Sequence, residues 1–304
     1  MKLIIITKNK FLKEAIYMNK NNKKKMKLTV LVDNNTLIDR YFFAEPGISF
    51  YIEQGEKRIL LDVGYSDVFI KNAQKMNIDL RILDYVVLSH GHLDHTWGLD
   101  PLVRLYTESN IEGIPHKRPA VLAHPLAFLS KLVDNGNEIG SLISQDKLSK
   151  HFAIKLSKDP IWLTERVLFL GQIERKNDFE CKEPIGSIMK PGSEEPDYLY
   201  DDTALVYKSS QGLVIITGCS HSGICNIAEQ AKNLCKEERI IDIIGGLHLL
   251  DPSKEQLQGT LEYMKKLNPK QMHACHCTDL NSKIALSKVV NLKEVGVGLV
   301  IKYE

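Results

Sequence analysis

His90, His92, Asp94 and His95 stand in the run Ser89-His90-Gly91-His92-Leu93-Asp94-His95, four metal-capable side chains within six residues. They follow the apolar stretch Tyr85-Val86-Val87-Leu88, which reads as a short buried strand, and Ser89-His90-Gly91 reads as the turn that ends it. Along extended backbone, residues two apart share a face, so His90 and His92 can grip one ion. Asp94 and His95 come where the chain is already turning and reach towards a second ion. Imidazole with carboxylate suits zinc first, with manganese or iron as alternatives, rather than calcium or magnesium. Two such ions with an open coordination position lower the pKa of a shared water from about 15.7 towards about 7 and so supply a nucleophile at neutral pH. The expected chemistry is attack on a phosphoryl or carbonyl centre, with Asp94 orienting the nucleophile and a histidine protonating the leaving group.

More candidates lie in the C-terminal half. His221 stands just past the apolar run Leu213–Thr217 and is the best remaining ligand. His248 follows the buried run Ile240–Ile244 and Gly245-Gly246, which permit close backbone approach; it reads as a substrate contact, a proton donor or a ligand. His276 follows a strand expected over Gln271–Ala274, and His273 on that strand faces elsewhere. His116 and His151 belong to no constellation, whereas His124, before Pro125 in a loop-rich stretch, is a weaker candidate for the pocket. The 6 cysteines read as free thiols. Cys275-His276-Cys277 has no partner Cys-x-x-Cys pair, which excludes a closed structural zinc of the ribbon type.

These motifs resemble the metallo-β-lactamase superfamily, whose metal loop reads His-x-His-x-Asp-His at a strand end. Arg58-Ile59-Leu60-Leu61-Asp62-Val63-Gly64 is similar to the superfamily strand that ends in Asp-x-Gly, which implies that Asp62 braces the metal loop from behind the ligands. Asp201-Asp202-Thr203-Ala204-Leu205-Val206, Thr217-Gly218-Cys219-Ser220-His221-Ser222-Gly223-Ile224, Gly245-Gly246-Leu247-His248-Leu249 and Cys275-His276-Cys277-Thr278 recur together in one branch, the dihydropterin-ribofuranosylaminobenzene-phosphate synthase-like proteins. The resemblance covers about residues 26–304. It implies that His90 and His92 hold a first ion while Asp94, His95 and His276 hold a second. Many members have a bridging aspartate where this chain reads Thr217-Gly218-Cys219. Three replacements stay open: Cys219 as a thiolate, His221 reaching over it, or Asp201 or Asp202 approaching from the neighbouring strand.

The elements that must position these residues alternate along the chain. A strand from Lys27 to Val32, a hairpin of Ile48–Gln54 with Arg58–Val63, a helix over Val68–Met76 and a strand over Leu83–Leu88 lead to the metal loop. Residues 102–200, with Pro101 just before them, are punctuated by eight prolines and many loop formers, with strands expected at Ala120–Ala123 and Trp162–Phe169; Glu183 to Pro196 is a lid candidate. Paired strands at Ala204–Lys208 and Leu213–Thr217, then helices over Cys225–Cys235 and Glu255–Leu267, complete the pattern. Strands that each deliver a residue at one edge, with helices outside, give an α/β fold. Its expected form is a four-layer αβ/βα sandwich of two mixed sheets with the site along the shared edge.

Composition agrees with one such domain over residues 26–304, preceded by a basic extension over residues 1–25 that contains Lys20-Asn21-Asn22-Lys23-Lys24-Lys25. Hydrophobic residues make up 43% of the chain, enough for a two-sheet core, and the net charge of +2 supplies no broad basic field for nucleic acid. No apolar run approaches the roughly 18 residues of a membrane span, and the first residues lack a signal-peptide pattern, so a cytoplasmic location is expected. The leading expectation is therefore a metal-dependent hydrolase with two divalent ions, acting on a phosphate ester or related small molecule. A pterin-type transferase and a metal-bound sensor with little turnover are the alternatives, and homo-oligomerisation is left open.

Overall fold

The computed structural model describes residues 25–133 and 136–304, so the expected N-terminal extension lies outside the described residues except for Lys25. The chain runs through β1 (Met26–Val32), β2 (Ser49–Gln54), β3 (Lys57–Leu61), α1 (Val68–Lys75), β4 (Tyr85–Val87), α2 (Leu93–Thr96), α3 (Leu99–Ile111) and β5 (Ala120–Ala123). Shorter pieces follow: β6 (Lys131–Val133), β7 (Asn137–Glu138), α4 (Gln145–Ser149), β8 (Ala153–Leu156), β9 (Ile161–Trp162), β10 (Val167–Phe169), β11 (Ser187–Lys190) and β12 (Ser193–Pro196). The last part holds β13 (Ala204–Lys208), β14 (Leu213–Thr217), α5 (Ile224–Cys235), β15 (Ile240–Gly246), α6 (Lys254–Leu267), β16 (Gln271–Cys275), α7 (Leu280–Ser287) and β17 (Val300–Tyr303).

Two large mixed sheets result, ordered β17-β1-β2-β3-β4-β5-β8 and β16-β15-β14-β13-β10-β9. The central strands β4, β5, β10 and β14 are apolar at nearly every position because both faces are covered. On β14, Val214 and Ile216 face the other sheet, where they meet Phe50, Ile52 and Leu61, while Leu213 and Ile215 face the helices with Ile227, Ala231 and Met264. On β2 the same alternation sends Tyr51 outward to join Phe69 and Ala73 of α1 and Leu102 of α3. Helix, sheet, sheet and helix thus form the expected four layers. Among the described residues no helix is long and apolar enough to cross a membrane.

The structure corrects the expected middle region in three respects. A third, four-stranded antiparallel sheet, ordered β12-β11-β6-β7, stands beside the two large ones. The strand expected over Trp162–Phe169 is instead a tight hairpin of β9 and β10, because Thr164 Oγ1 accepts the N–H groups of Arg166 and Val167 and turns the chain. A 13-residue helix, α3, begins at Leu99, where proline had suggested loop. Pro101 sits in its first turn, where a missing N–H leaves no helical hydrogen bond unmade.

For function the decisive relation is between strand direction and strand end. β3, β4 and β5 run parallel in one sheet, as do β14, β15 and β16 in the other. The C-terminal ends of β4, β14, β15 and β16 open into the segments that carry His90 to His95, Cys219 and His221, His248, and His276.

Candidate metal centre

Asp62 organises the loop after β4. Its φ of 56° is left-handed, an uncommon conformation for a residue with a side chain, and its carboxylate is wholly buried. Ser89 donates its N–H to Oδ1 at 2.7 Å and its hydroxyl to Oδ2 at 2.6 Å, and His95 donates Nδ1–H to the same Oδ2 at 2.7 Å. The Ser89 oxygen also lies 3.0 Å from His90 Nδ1. With their Nδ1 atoms so engaged, His90 and His95 turn Nε2 inward.

The opposite sheet comes close enough to complete the cluster because of one glycine. A Cβ at Gly218 would lie 2.1 Å from Ser89 Oγ and 2.8 Å from Asp62 Oδ2. Without it, β14 can carry Cys219 and His221 against the metal loop. Ser220 (φ 62°), His248 (φ 49°) and His276 (φ 52°) share the left-handed conformation of Asp62, so four residues bordering this one place hold strained backbone.

Two groups of ligand atoms emerge. His90, Cys219 and His221 place a nitrogen or sulfur within 4.8 Å of one another, and so do His95, Cys219 and His276. The His92 ring stands edge-on to both His90 and His221, at centroid distances of 4.7 and 4.9 Å. Asp94 Oδ2 is 3.2 Å from His276 Nε2 and 3.8 Å from His95 Nε2. Asn34 fixes the His276 ring by accepting Nδ1–H at 2.9 Å, and Asp33 accepts the His276 backbone N–H.

Electrostatics separates the two groups. Burial holds His90 and His221 well below the ordinary imidazole pKa, and it brings His92 down to about 3, so all three are neutral donors. Burial also opposes charge on His95, but Asp94 and Asp62 overcome it and raise that group to about 9. Nε2 of His90, Nε2 of His92 and both ring nitrogens of His221 are buried without a hydrogen-bond partner. An unpaired buried polar atom costs about 1–3 kcal/mol, so unpartnered nitrogens on three neighbouring imidazole rings fit a cation far better than a water-free protein interior.

The other singled-out residues take different places. Asp201 accepts the Gly91 N–H through Oδ2 at 2.8 Å and Lys131 Nζ through Oδ1 at 3.0 Å, while Asp202 accepts the Ser222 N–H at 2.8 Å. Both therefore hold loops that carry candidate ligands and belong to neither ligand group. His248 packs on His221 with centroids 4.1 Å apart and lines the cavity over the centre. His124 is buried, 3.2 Å from Gln172, and His273 pairs with Asp242; both are structural. Sequence reasoning missed Lys131, Asp33, Asn34 and Glu180. Glu180, whose carboxylate accepts the Cys225 and Asn226 N–H groups and so closes the N-terminus of α5, had no local signal.

A cavity of about 550 Å³ opens over the centre and is lined by His92, Asp94, Cys219, His221, His248 and His276 at its floor. From the lid candidate, Ile185 reaches its wall.

The sequence profile described as the metallo-beta-lactamase superfamily matches residues 44–234. A Methanocaldococcus jannaschii protein named 7,8-dihydropterin-6-methyl-4-(beta-D-ribofuranosyl)-aminobenzene-5'-phosphate synthase is 30% identical over 85% of this chain and 89% of its own length. An uncharacterized protein of the same organism is 32% identical, over 90% of this chain and 99% of its own. Among solved structures, a metal-dependent hydrolase of the beta-lactamase superfamily is similar with a TM-score of 0.75 at 27% identity, covering 91% of this chain and 98% of that one.

Proposed function

Because the chain belongs to the metallo-beta-lactamase superfamily, we propose that it is a metal-dependent hydrolase with a two-ion centre that cleaves a phosphate ester or related small molecule. His90, His92 and His221 would hold one ion, Asp94, His95 and His276 the other, and Cys219 would bridge them. The observation that carries this reading is the set of unpaired, buried imidazole nitrogens around the Cys219 sulfur. Zinc is the expected metal, with manganese and iron as the alternatives, since thiolate and imidazole favour the softer ions.

Bound there, the ions would supply an ionised water and polarise the oxygen of the reacting centre. The chain supplies the rest. Asp94, exposed to the cavity on one edge, would accept a hydrogen bond from the nucleophile and so orient it. His248 stands beside His221 with Nδ1 unpaired, in a position to give a proton to the leaving group. Burial opposes charge on His248, yet Cys277, Asp202 and Asp94 raise its pKa above the ordinary imidazole value, as a proton donor requires. Asp62 keeps the His95 ring in place, so that the ligand does not reorient during turnover.

One observation favours a second reading: the synthase name of the 30%-identical relative describes a transfer between two organic molecules. Turnover of aryl esters in ¹⁸O-labelled water by the zinc-, manganese- or iron-loaded chain distinguishes the two. Label in the released acid, with about two ions per chain, supports hydrolysis. Product that forms only with an organic acceptor, and carries no label, points to transfer.

A further inference from the structure

Above its imidazole floor the cavity has an apolar rim of Pro46, Tyr65, Leu93, Ile139, Ile185 and Leu250. Among the described residues no lysine or arginine lines it. A second cavity of about 420 Å³ adjoins it at Ile185, His221, His248 and Leu250. Its one cation, Lys182, is tied to Glu255 at 2.8 Å, and Glu183 and Asp251 share the wall. The ions of the centre can neutralise the group being cleaved. A second phosphate held away from them would meet no free cation and several carboxylates.

The rim offers a different kind of contact. Tyr65 stacks on Trp97 with ring centroids 5.0 Å apart and an interplanar angle of 27°. Trp97 is fixed in turn by its indole N–H, which donates to the Gly140 carbonyl at 2.8 Å, and the Tyr65 backbone N–H donates to Glu45 at 3.0 Å. Tyr65 nevertheless stays 43% exposed at the mouth. A flat aromatic wall, braced from behind before any ligand arrives, favours a planar apolar partner because little ordering remains to be done on binding.

We propose that this rim binds an uncharged planar ring of the substrate against Tyr65. The substrates are then esters of aryl or similarly flat groups that carry no second phosphate remote from the reacting centre. Only the placement of the reacting group rests on the hydrolase reading.

The test uses phosphonates, which cannot be hydrolysed. Trp97 and Trp162 are the 2 tryptophans of the chain, and Trp162 lies on the edge strand β9, so Trp162→Phe leaves Trp97 as the reporter behind Tyr65. The zinc-loaded variant is titrated by calorimetry and Trp97 emission with methylphosphonate, phenylphosphonate and 1,4-phenylenebisphosphonate. Phenylphosphonate should bind about tenfold more tightly than methylphosphonate and alter Trp97 emission, and the second phosphonate should remove that advantage. Tyr65→Ala should bring phenylphosphonate to the level of methylphosphonate with metal content retained. Equal affinities in the parent, or tighter binding of the bisphosphonate, would overturn the ring site and leave hydrolysis standing. A phenyl preference in a chain that cleaves no ester would keep the ring site and remove hydrolysis, and binding of none of the three would remove both.

Discussion

Cys219 Sγ stands 3.1 Å from His95 Nε2, and among the described residues it is the atom common to both ligand groups. A sulfur so placed can touch two ions where many relatives use an aspartate. Burial pushes the Cys219 thiol well above its ordinary pKa, so it becomes a thiolate only when a cation arrives. Cys219→Ala should therefore lose metal from both half-sites, whereas Cys219→Asp should keep two ions and shift preference from zinc towards manganese. Cobalt substitution gives the direct check: the parent should show a sulfur-to-cobalt charge-transfer band that both variants lack. An unchanged band in Cys219→Ala would remove the bridge.

Proton release on metal binding follows from the same geometry. His95 is held up to about 9, against burial, by Asp94 and Asp62, so at pH 7 it carries a proton that an ion must displace. His90, His92 and His221 are already neutral. Loading both half-sites at pH 7 should then release about two protons from the chain, one from His95 and one from Cys219, in addition to any from a water that the ions ionise. The sign is fixed: affinity at the His95 half-site rises with pH, and the rise becomes less steep above about 9, where His95 is already neutral and only the Cys219 thiol proton is left to displace. Zinc titrations in buffers of different ionisation enthalpy measure this, and binding without proton release would contradict it.

How far the sequence could be read depended on how local each feature was. The His90 to His95 cluster and the strand ends before His221, His248 and His276 were legible because spacing along one segment is enough to show them. The central position of Cys219 was not, since it depends on two sheet edges meeting across Gly218. Lys131 was hidden for a related reason: its partners Asp197 and Asp201 lie 66 and 70 residues further on, and β6 is too short to show alternation. Proline at the start of α3 disguised a helix, because a proline in the first turn has the same sequence appearance as one in a loop.

Gly218 itself is a sharp test of sheet approach. Gly218→Ala would drive a methyl group into Ser89 and Asp62, the pair that holds His90 and His95. The expected loss is about 1–3 kcal/mol of stability together with reduced metal content. Thermal unfolding and metal analysis of the same samples decide it; parental values in both would show that the two edges do not need this contact.

Lys131 supports the metal loop from the third sheet. It is fully buried, with Nζ 2.6 Å from Asp197 and 3.0 Å from Asp201, and Asp201 in turn holds the Gly91 N–H between the two histidines of the first half-site. Lys131→Met removes the cation and strands two buried carboxylates, a change that typically costs about 3–5 kcal/mol. Replacing the carboxylates as well, in Lys131→Met/Asp197→Asn/Asp201→Asn, should recover much of that stability because no charge is then left unpaired. Metal binding separates positioning from mere stability. If Lys131 acts through Asp201 on the Gly91 N–H, the charge-balanced triple variant should fold yet bind its first ion more weakly than the parent. Parental affinity in that folded variant would show that the ion pair stabilises the fold without setting the geometry of His90 and His92.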